Sequence, residues 1–182
     1  AQKILITGAN SYVGAGIYFY LRENFETIGT YHNTPLSKSF LKLDVTEPYD
    51  VRRLIRKVKP TIVVHAAANA NARWCEAHPK EALDLNQRST ESVVQASNET
   101  GSTVILISSF SAKKPINIYG KTKAESEKIV KKTKQAYLIL EPSLIIGFSP
   151  NTINDRPFNR LLKNLEGVPA EYDTSWKFQP TY

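Results

Sequence analysis

Tyr119 and Lys123 stand four residues apart in INIYGKTKAESE, a spacing that places both side chains on one face of a helix. The helix follows an apolar run ending in Ser108-Ser109, so a hydroxyl, a phenol and an ammonium can converge at one strand end. A phenol with a pKa of about 10 is a poor acid or base near neutrality, and a neighbouring ammonium favours the tyrosinate. Lowering that value by ~3 pH units requires about 4 kcal/mol of differential interaction, which Lys123 can supply with the help of a cofactor ribose and of a buried pocket that strengthens its field. Tyr119 then protonates a substrate carbonyl as hydride arrives, while Ser109 holds the carbonyl oxygen. Tyr and Lys at this spacing are also common on ordinary amphipathic helices, so the rest of the chain has to provide the setting.

That setting begins at residues 7 to 14, TGANSYVG, directly after Ile4-Leu5-Ile6. Between a strand and a helix, glycines make a tight turn, admit a pyrophosphate to the backbone and let the helix pack on the sheet. Gly8 and Gly14 fit the first and third of these roles, and Ser11 stands at the middle position with a hydroxyl that can donate to a phosphate. By itself such a loop is equally well explained as a structural turn. The second strand ends in Tyr31-His32-Asn33, without the carboxylate that would accept bonds from an adenosine ribose, which leans toward NADP(H) and leaves NAD(H) open. His32 reads as a loop histidine. Asp44 can accept from an adenine amino group or cap the following helix.

The elements that would position these groups alternate along the chain. Strands are predicted over residues 3–7, 26–31, 40–44, 61–65, 103–107 and 136–140, with helices from about 13 and over about 47–58, 79–98 and 117–132. Such spacing needs crossover helices and predicts a parallel sheet, and the runs Ile62-Val63-Val64 and Val104-Ile105-Leu106-Ile107 read as central strands covered on both faces. The fold class is α/β, a doubly wound, mostly parallel, Rossmann-like sheet. Ligands then bind beyond the carboxyl ends of the strands. The domain reading is a dinucleotide-binding unit over residues 1–147 and the start of a substrate-binding portion over 148–182, where prolines break the alternation.

Composition narrows the alternatives. The chain has 182 residues, 41% of them hydrophobic, and no long apolar run or secretory pattern, so neither a membrane span nor export is expected and the location reads as cytoplasmic. Its single cysteine, Cys75, fits a reducing compartment and reads as a packed thiol. The net charge of +7 comes largely from solvated helix faces, where Arg52, Arg53, Arg56, Lys57 and Lys59 flank Val51, Leu54, Ile55 and Val58. No nucleic-acid motif accompanies it, and a positive field can help to draw in a phosphorylated substrate. Methionine is absent even at position 1, which fits a processed or partial product.

Together the stretches TGANSYVG, LDVTEP, KPTIVVHAAA, CEAHPKEALDLN, VILISS, INIYGKTKAESE and EPSLIIG resemble the extended short-chain dehydrogenase/reductase family. Within it the likeness is strongest to the dTDP-4-dehydrorhamnose reductase branch, to which the methionine adenosyltransferase regulatory β subunits are related. The resemblance implies a pyrophosphate site at Gly8, Asn10, Ser11, Tyr12 and Val13, with Gly14 against the sheet. It implies adenine near Asp44 and Val45 beside Tyr31, ribose near Ala66, Ala67 and Ala68, and nicotinamide near Pro142 and Ser143. Catalysis falls to Ser109, Tyr119 and Lys123, the last two also touching cofactor; Asn86 takes a supporting place, and no metal is implied.

The implied reaction is NADP(H)-dependent reduction of the C4 carbonyl of a 4-keto-6-deoxy nucleotide sugar. A non-catalytic NADP-binding regulatory subunit and a nucleotide-sugar epimerase or dehydratase stay open, and a homodimer is compatible. Three departures stand out: Ser11 for glycine, Glu141 where the family has arginine before the proline, and only nine residues between Ser109 and Tyr119 where the family carries a longer aspartate-aromatic loop. That connection is expected to be cut short or absent from the sequence, and the substrate portion to be truncated.

Overall fold

The first strand, β1 (Lys3–Thr7), buries Ile4, Leu5 and Ile6 together, as a strand with helices on both faces must. The structure, a computed structural model, describes residues 2–147, 149–151, 162–167, 169 and 180–181. Beside β1 lie β2 (Glu26–Tyr31) and the short β3 (Leu41–Lys42) on one side, and β4 (Ile62–His65), β5 (Thr103–Ile107) and β6 (Tyr137–Leu140) on the other. The order β3-β2-β1-β4-β5-β6 is parallel throughout. A second pair, β7 (Leu144–Ile145) with β8 (Pro180–Thr181), is also parallel.

Side-chain alternation along the strands divides the interior into two clusters. Leu5, Val63, Val104 and Leu106 pack with Val51 and Ile55 of α2 (Pro48–Val58), Val93 of α5 (Ser89–Thr100) and Val130 of α6 (Ile118–Val130). Ile4, Ile6 and Val64 face the other way, onto Tyr18 of α1 (Tyr12–Leu21) and Phe40. The helices start and stop where local chemistry dictates. Pro48 opens α2, Asn117 caps α6 by accepting from the Gly120 amide at 2.8 Å, and α5 ends at Gly101 with φ 75°.

The predicted elements appear within one or two residues of their expected bounds, except that the third strand keeps only two of its five expected residues, and the expected helix over 79–98 is broken up. Ahead of it stands an unpredicted helix, α3 (Ala72–Ala77), and within it α4 (Pro79–Leu83) runs into a π-helical turn, Asp84–Arg88, before α5. The π turn frees the Asn86 carbonyl to accept from the Thr90 hydroxyl at 3.1 Å and the Ser126 hydroxyl of α6 at 2.8 Å. Most of the expected substrate portion, 148–182, lies outside the described residues. Among the described helices none is long and apolar enough to cross a membrane. Cys75 is buried, and burial pushes its thiol above the usual range, as a packed thiol requires.

His65 closes β4 inside the molecule. The Ser89 hydroxyl donates to the Leu85 carbonyl at 2.6 Å, so His65 Nε2 donates to Ser89 at 3.2 Å, and Nδ1 accepts from the Thr7 hydroxyl at 2.7 Å. Burial, and secondarily the Lys123 charge, lower its pKa from 6.5 to about 3. Because the folded value lies below the unfolded one, the stability held by the neutral ring is complete above pH 6.5 and is lost as pH falls toward 3. The urea midpoint should therefore decline below pH 6.5. In His65→Gln the decline should be shallower by up to about 1.4 kcal/mol per pH unit. Equal slopes in the two proteins would show that another group drives the acid loss.

Candidate active site

The loop after β1 meets the loop after β4 where the strand order reverses direction, the position at which doubly wound sheets bind ligands. Gly8 has φ 70°, and a Cβ there would stand 2.6 Å from the Ala67 Cα, so only glycine fits. Its amide donates to the Thr30 hydroxyl at 3.2 Å, tying the turn to β2. A Cβ on Gly14 would stand 2.2 Å from the Gly8 carbonyl oxygen, so the first turn of α1 rests directly on the loop. Ser11 has an ordinary extended backbone, φ −72°, and its hydroxyl oxygen accepts from the Gly14 amide at 3.0 Å. The serine is the N-cap of α1, which explains why this position needs no glycine. Asn10 works as a strut: its side chain accepts from the Leu36 amide at 2.8 Å and donates to the Thr34 carbonyl.

Two clefts open from this loop. The first is lined by Gly8, Asn10 and Ser11, expected at a pyrophosphate, by Tyr31, Asp44 and Val45, expected near adenine, by Ala67 and Ala68, expected near ribose, and by the loop histidine His32. Thr30, Leu43, Thr46, Trp74, Glu81, Asp84 and Leu85 complete its wall; the last four went unmarked in the sequence because α3, α4 and the π turn reach the cleft only through the fold. Asp44 Oδ1 accepts from the Thr46 amide at 2.9 Å and the Thr46 hydroxyl at 2.6 Å, while Oδ2 lies 3.2 Å from His32 Nε2. Partial burial pushes this carboxyl up, but the Thr46 bonds and His32 outweigh it and hold it below the usual range. Asp44 thus closes a local turn; α2 takes Glu47 as its N-cap, so the helix-cap alternative for Asp44 is set aside.

The second cleft joins Ser11, Tyr12, Val13, Ala66 and Ala68 to Ser109, Tyr119, Lys123, Pro142 and Ser143. Ser11 and Ala68 line both clefts, so the expected cofactor residues lie along two adjoining clefts, with Gly14 packed against the Gly8 carbonyl. Ser109 and Tyr119 are half-buried, and Lys123 is 2% exposed. The Lys123 ammonium donates to the Ile107 carbonyl at 2.6 Å, and burial pulls its pKa down to about 8 against the opposing pull of Glu127. Ser109 Oγ accepts from the Ser111 amide at 3.2 Å, starting the 3₁₀ turn Phe110–Ala112. Asn86 is buried behind this wall; it accepts from the Asn69 amide at 2.8 Å and donates to Asn69 and Thr122, the supporting place expected of it. His65 and Glu127 are the buried ionisable neighbours that sequence spacing did not single out.

Residues 2–165 match the sequence model of the RmlD substrate binding domain. The chain is 28% identical over 164 residues to the dTDP-4-dehydrorhamnose reductase of Salmonella typhimurium, covering 82% of this chain and 54% of the relative. It is 27% identical over 160 residues to the methionine adenosyltransferase 2 subunit beta of Xenopus tropicalis, covering 80% of this chain and 48% of the relative. Among solved structures, the dTDP-4-dehydrorhamnose reductase of Yersinia enterocolitica superimposes with a TM-score of 0.76 at 25% identity, covering 92% of this chain and 61% of that one. The chain thus spans about half the length of the curated relatives it matches.

The loop geometry sets distinct costs for its small residues. Gly8→Ala should destabilise the fold by on the order of 3 kcal/mol, combining the left-handed backbone with the collision at Ala67. Ser11→Ala should cost about 1 kcal/mol through the lost cap and Ser11→Gly only a few tenths. Urea denaturation of the three variants checks the ranking; a Ser11→Gly variant as damaged as Gly8→Ala would refute the capping account.

Proposed function

The chain belongs to the RmlD substrate binding domain family, and we propose that it serves an NADP(H)-dependent reductase acting on the C4 carbonyl of a 4-keto-6-deoxy nucleotide sugar. Carrying this reading is the convergence of Ser109, Tyr119 and Lys123 on one cleft continuous with the loop at Gly8 and Ser11. We assign cofactor binding to residues 1–147 and the beginning of substrate binding to 148–182, in a cytoplasmic protein compatible with a homodimer.

The adjoining clefts suit a dinucleotide. The Gly8 turn leaves no Cβ between backbone and ligand, and α1 opens onto the clefts with its N-terminus, where amides receive phosphate. NADP(H) is preferred because β2 ends without a carboxylate, and Asp44 is already engaged by Thr46 and His32. NAD(H) remains an alternative.

NADPH, when bound, supplies the hydride that reaches the carbonyl carbon. Tyr119 donates its phenolic proton to the carbonyl oxygen, completing the alcohol, and the Lys123 ammonium stabilises the tyrosinate left behind. Ser109 Oγ, beside Tyr119 in the cleft, donates to the same oxygen and orients it. Ala66 and Ala68 keep the wall between phosphate loop and reaction end free of bulky side chains.

Purified protein should consume NADPH when given dTDP-4-dehydrorhamnose, and Tyr119→Phe should lower kcat by about 10²–10⁴-fold while leaving NADPH binding in place. No turnover by the intact protein, with Tyr119→Phe changing nothing, would overturn the reductase. The likeness to the Xenopus tropicalis subunit gives the second reading its footing. NADPH binding without turnover, together with co-purification of an adenosyltransferase, would establish a regulatory subunit instead.

A further inference from the structure

An ammonium withdrawn from water is costly unless hydrogen bonds and countercharge replace its hydration. Lys123 is 2% exposed, and the Ile107 carbonyl answers one of its three donors. Among the described residues, the titratable groups that face it are His65 from β4 and Tyr119 and Glu127 from its own helix. His65 is neutral and spent on Thr7 and Ser89, and Tyr119 brings a phenol. Glu127 alone brings a carboxylate. It follows Lys123 by one helical turn, on the same face, and is itself 8% exposed. The Ser108 hydroxyl donates to its Oε1 at 2.5 Å. Lys113 adds positive charge beyond it, but is ion-paired to Glu141 at 2.8 Å.

Resting on the assignment of Tyr119 and Lys123 to the reaction, we infer that Glu127 is a positioning residue whose carboxylate, fixed by Ser108, keeps the buried Lys123 ammonium charged beside Tyr119. The neighbouring strand end and the helix thereby cooperate: Ser108 and Ser109 both line the cleft, and the Ser108 hydroxyl holds the countercharge. With a midpoint of about 8, Lys123 is charged over neutral by about ten to one at pH 7. Without the Glu127 charge, the Ile107 carbonyl is left to oppose burial and the neutral amine gains.

The lysine can be read directly by carbon NMR of protein labelled at lysine Cε, with the Lys123 signal identified by its loss in Lys123→Met. Wild type should titrate near 8, and Glu127→Gln should lower that midpoint by about one pH unit or more. Ser108→Ala leaves the carboxylate in place but releases it and should lower the midpoint by less than Glu127→Gln does. An unmoved midpoint in Glu127→Gln overturns the role of Glu127, and an unmoved midpoint in Ser108→Ala overturns its fixing by Ser108. Should Glu127→Gln fail to fold, Glu127→Asp, which holds the charge one methylene farther away, should give a smaller fall in the same direction, and none would overturn the role as well. In an active enzyme the alkaline limb of kcat should move with the midpoint. A shifted midpoint in a protein that never turns over counts against the reductase alone, and an unmoved midpoint in an active one counts against Glu127 alone.

Discussion

The site depends on two backbone segments standing closer than side chains allow. Gly8 and Ala67 touch at the switch point, and the contact leaves no room for a Cβ on Gly8. Because Gly14 lacks one too, α1 settles on the Gly8 carbonyl, and the missing Cβ of Gly29 lets Phe40 and Ala9 close over β2. These approaches draw the first helix and the first two strands into one body, with an anion-seeking helix end at the middle of the sheet. Grooves open on either side of the contact and share Ser11 and Ala68.

The position of Tyr119 and Lys123 is set by a different kind of packing. Where α2 rests on the sheet through Val51, Ile55 and Val58, α6 meets α5 through a mesh of small polar groups. Thr90 and Ser126 both donate to the Asn86 carbonyl, Ser126 also lies within bonding distance of the Thr122 carbonyl, and the Asn86 amide reaches Thr122. Each such bond contributes only about 1 kcal/mol net, but an unpaired buried partner costs about 1–3 kcal/mol, so a slip of the helix is penalised steeply. Apolar surfaces tolerate sliding; directional bonds do not. The π turn at Asp84–Arg88 is what exposes the Asn86 carbonyl to this mesh, so a local irregularity in one helix fixes the register of the next.

What sequence reasoning could and could not see follows from the range of each interaction. Strands β1, β4 and β5 were legible because β-branched runs report burial on both faces, and the Tyr119/Lys123 pair because four residues is a helical period. The third strand was overestimated because residues 40–44 look apolar for another reason: Phe40 and Leu43 are core residues flanking a two-residue strand. α3 has no apolar period to announce it; its single fully buried side chain is Cys75. The cap at Ser11 was legible in principle, since a serine before a helix is a capping signal, but the glycine pattern drew attention to ligand binding instead. His65 and Ser108 carry no local signature; Glu127 continues the four-residue period of Tyr119 and Lys123, but its bond to Ser108 arises only when β5 and α6 are brought together.

Two departures from the family pattern prove to be one structural unit. Glu141 places a carboxylate before Pro142, and the short connection after Ser109 supplies its partner, Lys113, at 2.8 Å. The Phe110 amide donates to the Pro142 carbonyl at 2.9 Å, so the connection lies directly against the strand end it neutralises. A Cβ on Gly120 would stand 2.8 Å from the Ser111 carbonyl oxygen, so the same connection is also seated on the start of α6. Phe110 is left 57% exposed, with the Lys113 ammonium 5.6 Å from its ring. The connection beside Ser109 thus presents an exposed aromatic ring, while the Lys113 charge next to it is answered by Glu141.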